Sequence, residues 1–315
     1  RGQAVTTDFV LAFTNRGNYL YIPIHEIIDT KWKEEGKHIN YLISLEYKEK
    51  IVCAFAVNEF RDDLFLALVT KKGQIKRVRL SDFVVIRYAR PITAMKLIGD
   101  DEIADVVVTS GDSNILVLTS TGGSILFNEN DVSIGTLKSG GVKAIAELKP
   151  ATITKLLVFE KDEKAKIALL THAGHIRIYD YANTPLTMRL GKTTPIYPCF
   201  KNEPHNLIYA RRINAKDDKI LLRVQANNKS VIEVPIEDFY ITPRSKYAKG
   251  TITLPRRSHL AIVFREDDIM IDKTLVAHEP PVKEKAVSSF DGEEVDENGK
   301  EYKQISIFEE DETKK

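Results

Sequence analysis

Between Thr70 and Arg79 the chain reads TKKGQIKRVR, five cations within ten residues around a single glycine, Gly73. Ammonium and guanidinium groups at this spacing suit one kind of chemistry: they neutralise successive phosphates of a polyanion without reading its bases. Lys71 and Lys72 fall at the tip of an expected hairpin, and Lys76, Arg77 and Arg79 follow along its returning strand. Related cations recur further along. Arg16 stands at an earlier tip, Arg177 at the position equivalent to Lys76, and Lys229 beside a later turn. Connecting loops add Arg87 and Arg90, then Lys138 and Lys143, then Arg189 and Lys192, and finally Arg244, Lys246 and Lys249. A single lysine on a strand is ordinarily solvated surface; the density around Gly73 exceeds what solubility asks for.

Other chemistries find little support. His172 and His175 form the one close histidine pair, but no cysteine or carboxylate stands beside them at metal-ligand spacing, so no metal site is expected. No phosphate-binding glycine loop, Gly-x-Ser-x-Gly elbow or His-Glu-x-x-His pair is present, and no cofactor is expected. Cys53 and Cys199 are far apart in apolar segments and read as buried thiols of a reducing, cytoplasmic compartment. No apolar run reaches the roughly 18 residues of a spanning helix. The start, Arg1-Gly2-Gln3, reads as the edge of an excised piece.

The elements that must position the cations follow from a repeat. An apolar strand ending in Thr-x-x-Gly occurs at Gly17, Gly73, Gly122 and Gly174, spaced by 56, 49 and 52 residues; a fifth copy around Asn227-Asn228 keeps both strands and replaces the glycine. Glycine supplies the positive φ of a tight hairpin, and Thr suits a strand end. A second strand follows each turn, and two more are expected to close each unit, among them NYLISL with IVCAFAV and ITAMKL with IADVVVT. HEIIDTKWKEEGKH, with the chain's one tryptophan, Trp32, reads as an insertion in the first unit. Four short strands per ~50 residues, copied about five times, predict an all-β, propeller-like architecture of five to six four-stranded blades. The expected repeats are about 8–61, 62–111, 112–164, 165–216 and 217–272, forming one domain over 1–272.

Charge divides the chain. Residues 273–315 hold 7 Lys+Arg against 12 Asp+Glu, net −5, which leaves +6 on residues 1–272. This tail lacks periodic apolar content and is expected to be a disordered acidic segment competing for the basic surface. It also holds Gln304-Ile305-Ser306-Ile307-Phe308.

The repeated unit, with its x-x-Asp/Ser-x-Phe corner and glycine-rich loop, resembles the C-terminal repeats found in the larger, DNA-cleaving chain of bacterial type IIA DNA topoisomerases. GNYLYIPIHEIIDTKWKEEGKHI and LKSGGVKAIAEL carry the likeness, which covers about residues 5–270 and is most similar to the topoisomerase IV branch of Gram-positive type. The resemblance implies a β-pinwheel that exchanges strands between neighbouring blades and bends duplex DNA around its rim. It implies a non-catalytic fragment: cleavage by a tyrosine upstream, ATP hydrolysis with Mg2+ in a separate ATPase chain, and an A2B2 holoenzyme. Gln304 to Phe308 is similar to short peptides that bind the replication clamp. The gyrase heptapeptide Gln-Arg-Arg-Gly-Gly-Lys-Gly is not found here; the nearest stretches are Lys138 to Lys143 and Lys246 to Gly250, which favours topoisomerase IV over a DNA-wrapping gyrase. A protein-interaction scaffold is the alternative of another class.

Overall fold

The computed structural model describes residues 4–31, 36–197 and 206–213 in full, and the backbone of strands within 221–271. The chain divides into two units, Arg1–Pro280 and Pro281–Lys315, the second lying outside the described residues. Trp32, Cys199, Lys229, Arg244, Lys246, Lys249 and the tail likewise fall outside them.

Each hairpin opens a small antiparallel sheet. The first joins β1 (Phe9–Thr14), β2 (Asn18–Pro23) and β3 (Ile51–Val57). The second joins β4 (Phe65–Thr70) and β5 (Gln74–Arg79), while β6 (Ile92–Thr93) of the same repeat leaves it to pair with β2 of the first sheet. β7 (Ile103–Thr109) completes the second sheet on the other side of β4. The third is β8 (Asn114–Thr119), β9 (Gly123–Asn128) and β11 (Ile153–Phe159), while β10 (Val142–Lys143) crosses to β5. The fourth is β12 (Lys166–Thr171), β13 (His175–Asp180) and β15 (Leu207–Ile213), while β14 (Thr194–Pro195) crosses to β9. β16 (Leu221–Ala226), β17 (Val231–Pro235) and β19 (Leu260–Phe264) form a further sheet, with β18 (Gly250–Thr251) crossing to β13. The last described strand, β20 (Met270–Ile271), returns to pair in parallel with β3. Each of the first four sheets thus takes an edge strand from the repeat that follows.

Several expected strands differ; VKAIAEL, for one, contributes only Val142–Lys143. ITAMKL contributes only Ile92–Thr93, because the N–H groups of Ala94 and Met95 both donate to the Gly17 carbonyl of the preceding hairpin. NYLISL forms a 3-10 turn, Ile39–Tyr41, whose neighbours Ile39, Leu42, Ile43 and Leu45 cover Ala12, Leu20 and Ile22 on one face of the first sheet.

The strands are short, and both their faces are covered, so the apolar runs alternate between two cores rather than between core and water. Leu66 and Leu68 of β4 face a cluster shared with Leu11, Phe13 and Tyr19 of the first sheet; Ala67 and Val69 face a cluster shared with Ile115, Val117 and Phe127 of the third. Leu116 and Leu118 of β8 point the other way, towards Ile167, Leu169 and Tyr179 of the fourth.

The Thr-x-x-Gly turn joins these layers through the backbone. In the second, third and fourth sheets the Thr hydroxyl accepts from the N–H four residues on, at Gln74, Gly123 and His175. The Gly N–H donates to the Thr carbonyl at 3.0 to 3.2 Å in all four glycine turns. The residue after each Thr then bridges two sheets: Asn15, Lys71, Ser120 and His172 donate to the residue preceding their own third strand, and their carbonyls accept from Ile103, Ile153, Leu207 and Leu260 at the start of the next one. A bulge follows the receiving residue. In five sheets the third strand carries an extra residue at its second position (Val52, Ala104, Thr154, Ile208 and Ala261), which is left unpaired while the residue before it stays opposite the last residue of the first strand.

The same double coverage corrects the expectation that Lys76, Arg77 and Arg177 face outward. All three are buried, at 2%, 5% and 0% exposure, because a strand packed on both faces has no solvent side. Arg77 donates to Glu129 (2.9 Å) and Asn130 (3.1 Å), and Glu129 also accepts from Thr109 and from the N–H groups of Gly111 and Ser113, which locks the second sheet to the third. Corresponding positions in the third repeat, Leu126 for Arg77, and in the second, Leu80 for Glu129, are apolar, so one ion pair replaces packing at one junction. Arg177 lies against the ring of Tyr179, 5.6 Å from its centroid. The Lys76 ammonium donates to the carbonyls of Ala94 (2.8 Å) and Ser139 (3.1 Å) and to no carboxylate among the described residues, and burial lowers its pKa from 10.5 to about 8.

Two outcomes are expected. Gly122 has φ +82°, and a Cβ there would stand 2.5 Å from the Tyr197 carbonyl oxygen of the next repeat; Gly99 has φ +61° with open space around it. Gly122→Ala should therefore cost about 3 kcal/mol in urea unfolding and Gly99→Ala about 1 kcal/mol. For Lys76 the unfolded chain holds its proton to higher pH than the folded one. The cost of burying the charge is present below pH 8 and is relieved as pH rises from about 8 to 10.5. The wild-type chain should gain up to about 3 kcal/mol over that window relative to Lys76→Met, read as a difference between their unfolding curves.

Candidate nucleic-acid interface

With three cations assigned to the interior, the remaining candidates separate by their surroundings. The hairpin-tip group is charge-balanced. Arg16 binds Glu46 at 2.7 Å and the Tyr47 carbonyl; Lys71 binds Glu102 at 2.5 Å; Lys72 binds Asp100, and its N–H donates to Asp101. These lysines hold the Asp100 and Glu102 carboxyls below their usual range, chiefly by hydrogen bonding. Exposed pairs of this kind are individually weak, about 1 kcal/mol or less, so the pairing alone would not keep a phosphate away. Lys71 and Lys72, with Lys50 nearby, face Asp100, Asp101 and Glu102, so the charges around this tip are close to balanced. The acidic residues precede the third strand, a place the sequence shows but does not connect to the tip.

The second group sits on the exchanged edges. From each 3-10 turn the chain runs to the preceding sheet, touches its edge strand, leaves it in a loop and pairs with it again. In the third repeat Gly135 N–H donates to the Arg77 carbonyl, Ile134 bridges Arg77 in parallel, and Val142 and Lys143 then pair with Ile75 and Gln74. In the fourth, Thr187 N–H donates to the Leu126 carbonyl, Leu186 bridges Leu126, and Thr194 and Pro195 pair with Ser124 and Gly123. The corresponding segment of the second repeat ends on Ile92 and Thr93, paired with Tyr19 and Asn18.

These segments, residues 84–93, 132–143 and 184–195, carry Arg87 and Arg90, Lys138 and Lys143, and Arg189 and Lys192, and contain no Asp or Glu. Arg87, Arg90, Lys138, Lys143 and Lys192 are exposed and make no ion pair among the described residues; the same holds for Arg79 at the end of β5. Arg189 is half-buried and fixed: its Nε donates to the Asp131 carbonyl and an Nη to the Lys143 carbonyl at 2.6 Å, tying the fourth repeat's loop to the third's.

The loops are held in shape from beneath. Lys138 adopts φ +65°, and Gly141 passes so close to β5 that a Cβ would lie 2.5 Å from Met95 Cε and 2.8 Å from the Ile75 carbonyl oxygen. Lys76 supports the same loop from below through the Ser139 carbonyl. Its charge signals a surface role in the sequence; only its neighbours show it to be a support. Among the described residues no group of three or more His, Cys, Asp or Glu is arranged to hold a metal, and no helix is long and apolar enough to cross a membrane.

Comparison with known proteins agrees with this architecture. The profile described as DNA gyrase C-terminal domain, beta-propeller, matches residues 8–58, 65–110 and 113–158, each segment holding one Thr-x-x-Gly hairpin. The chain is 31% identical to the A chain of DNA topoisomerase 4 from Bacillus subtilis (strain 168) over 203 residues, 64% of this chain and 25% of that protein. It is 30% identical to the same chain from Staphylococcus epidermidis (strain ATCC 12228 / FDA PCI 1200) over 69% of this chain and 27% of that protein. It thus spans about a quarter of the length of these relatives. The crystal structure of the C-terminal domain of DNA topoisomerase IV superposes with a TM-score of 0.74 at 26% identity, covering 82% of this chain and 79% of that one. A DNA gyrase A C-terminal domain, at 18% identity, a TM-score of 0.67 and 83% coverage of both chains, shares the fold. Hairpin repeats, exchanged edge strands and these likenesses together match the chain to the DNA gyrase A C-terminal domain family and to the C-terminal domain of DNA topoisomerase IV.

Proposed function

We propose that this domain binds duplex DNA along its exchanged sheet edges and holds it curved, so guiding strand passage in decatenation and relaxation. The observation that carries the reading is the composition of the three edge loops: six cations and no carboxylate, in a chain with nearly equal numbers of each. Their recurrence at one place in successive sheets presents phosphate contacts in series. Bending 20 to 30 base pairs by 40 to 90° costs about 1 to 6 kcal/mol, and attraction shared among several loops offsets that cost where a single patch would not. Arg79, Arg87, Arg90, Lys138, Lys143 and Lys192 are the contact residues of this reading, with Arg244, Lys246 and Lys249 continuing the series in the fifth repeat. Lys71, Lys72 and Arg16 lie outside it.

The reading extends to a closed or nearly closed pinwheel of five to six blades, supported by the return of β20 to β3. It assigns the domain to a bacterial cytoplasmic A2B2 enzyme whose other parts use ATP and Mg2+. The acidic tail is the segment that competes with DNA for the edge loops.

Binding to a linear duplex, measured by filter retention between about 50 and 200 mM salt, should give a log–log slope near −5 if about six cations each release counterions at about 0.9 per contact. The triple change Arg87→Gln, Lys143→Gln and Lys192→Gln should flatten that slope by about 2.7 on every DNA sequence alike. Lys71→Gln with Lys72→Gln should leave it within error. Salt-independent retention would overturn the DNA reading in favour of a protein-interaction scaffold, and a triple variant that binds like wild type would overturn the choice of contact residues.

A further inference from the structure

The edge loops are not uniformly polar. Of the fourteen exposed large hydrophobic residues among those described, seven lie in the three loop segments. Ile86 is 95% exposed, Met188 77% and Val142 44%, and each immediately precedes a cation: Arg87, Arg189 and Lys143. Scattered exposed aliphatics need no explanation, but half of them falling in three corresponding segments does, although Ile86, Val142 and Met188 hold different places within those segments. Folding does not account for them, since none adds to a core. Ile86 stands at an open cleft of about 530 Å³, lined also by Leu42 and Ile43 beside the 3-10 turn Ile39–Tyr41, by Arg87 and Arg90, and by Glu26, which accepts from the Tyr88 hydroxyl.

A nucleic-acid backbone has the complementary pattern. Its anionic phosphates alternate with the largely apolar faces of deoxyribose, so a surface matched to it alternates cation and aliphatic group. A partner protein surface would be expected to supply carboxylates to the unpaired cations as separate points; an aliphatic group directly beside a cation in each of three loops fits the sugar–phosphate chain better. Resting on the DNA reading above, we infer that Ile86 and Met188, with Val142 beside them, pack against deoxyribose of bound duplex DNA and supply a component of affinity that salt does not screen. Cations then set how steeply binding falls with salt, and the aliphatic groups set its level. Contacts to sugars carry no base identity, in keeping with binding that positions DNA rather than reads it.

The test uses the whole chain with Ile86→Ser and Met188→Ser combined; both side chains are so exposed that folding should be unaffected, as circular dichroism and the unfolding midpoint would verify. On a plot of log affinity against log salt the double variant should lie parallel to wild type and about tenfold lower. Hydroxyl-radical cleavage, which reports on the exposure of sugars, should show protected positions with wild type that become accessible with the variant. If both the affinity and the protection of the variant equal those of wild type while the Gln triple variant still flattens the slope, DNA binding stands and the sugar contact is overturned, leaving these aliphatics to a protein partner. If wild type itself shows no salt-dependent binding, the DNA reading falls, and this inference with it.

Discussion

One residue at each glycine hairpin tip joins its sheet to the next. Its N–H is bonded within its own sheet, and its carbonyl is bonded to the first residue of the third strand in the next sheet. Neither bond involves a side chain, so the bridge tolerates Asn15, Lys71, Ser120 and His172 in turn. What it does require is a tight turn with the tip carbonyl directed at the following repeat, where the third strand carries a bulge next to the receiving residue. The tip carbonyl finds its backbone partner only when the neighbouring repeat is in place, which couples the repeats although each is a small sheet with little core of its own.

This geometry decides what each cation can do. Sheets bridged at their tips and packed on both faces leave β5 and β13 no solvent side, so Lys76, Arg77 and Arg177 are drawn inward and serve as supports. Arg77 and Glu129 work as a junction, since removal of one partner would leave the other as a buried charge. Lys76 is the more unusual member. A buried ammonium satisfied by two carbonyls joins the segment after β6 to the loop carrying Lys138, and so couples neighbouring edge loops. The exchanged edges, where the chain leaves one sheet to reach another, carry exposed Arg and Lys with no carboxylate in the same segments.

At the level of electrostatics, the molecule separates its charges by place rather than by number. Carboxylates gather before the third strands, beside the tips, and are absent from the edge loops. On the proposed function, a duplex approaching the tips would meet paired charges and one lying along the edges unpaired ones.

The sequence by itself determined the repeat, its four-strand unit, the hairpin turns and the all-β class, because Thr-x-x-Gly at a ~50-residue period and alternating apolar runs are local signals that any packing must accommodate. It also pointed to the edge loops, as short stretches rich in Arg and Lys. Only the tertiary structure decided which cations remain outside. The alternation in QIKRVR is the same whether one face of a strand or both are covered; coverage depends on a neighbouring sheet some fifty residues away. Pairing of Lys71 and Lys72 with Glu102 and Asp100, the bulges, and the transfer of β6, β10, β14 and β18 to preceding sheets likewise follow from contacts between repeats, which local residue preferences do not encode.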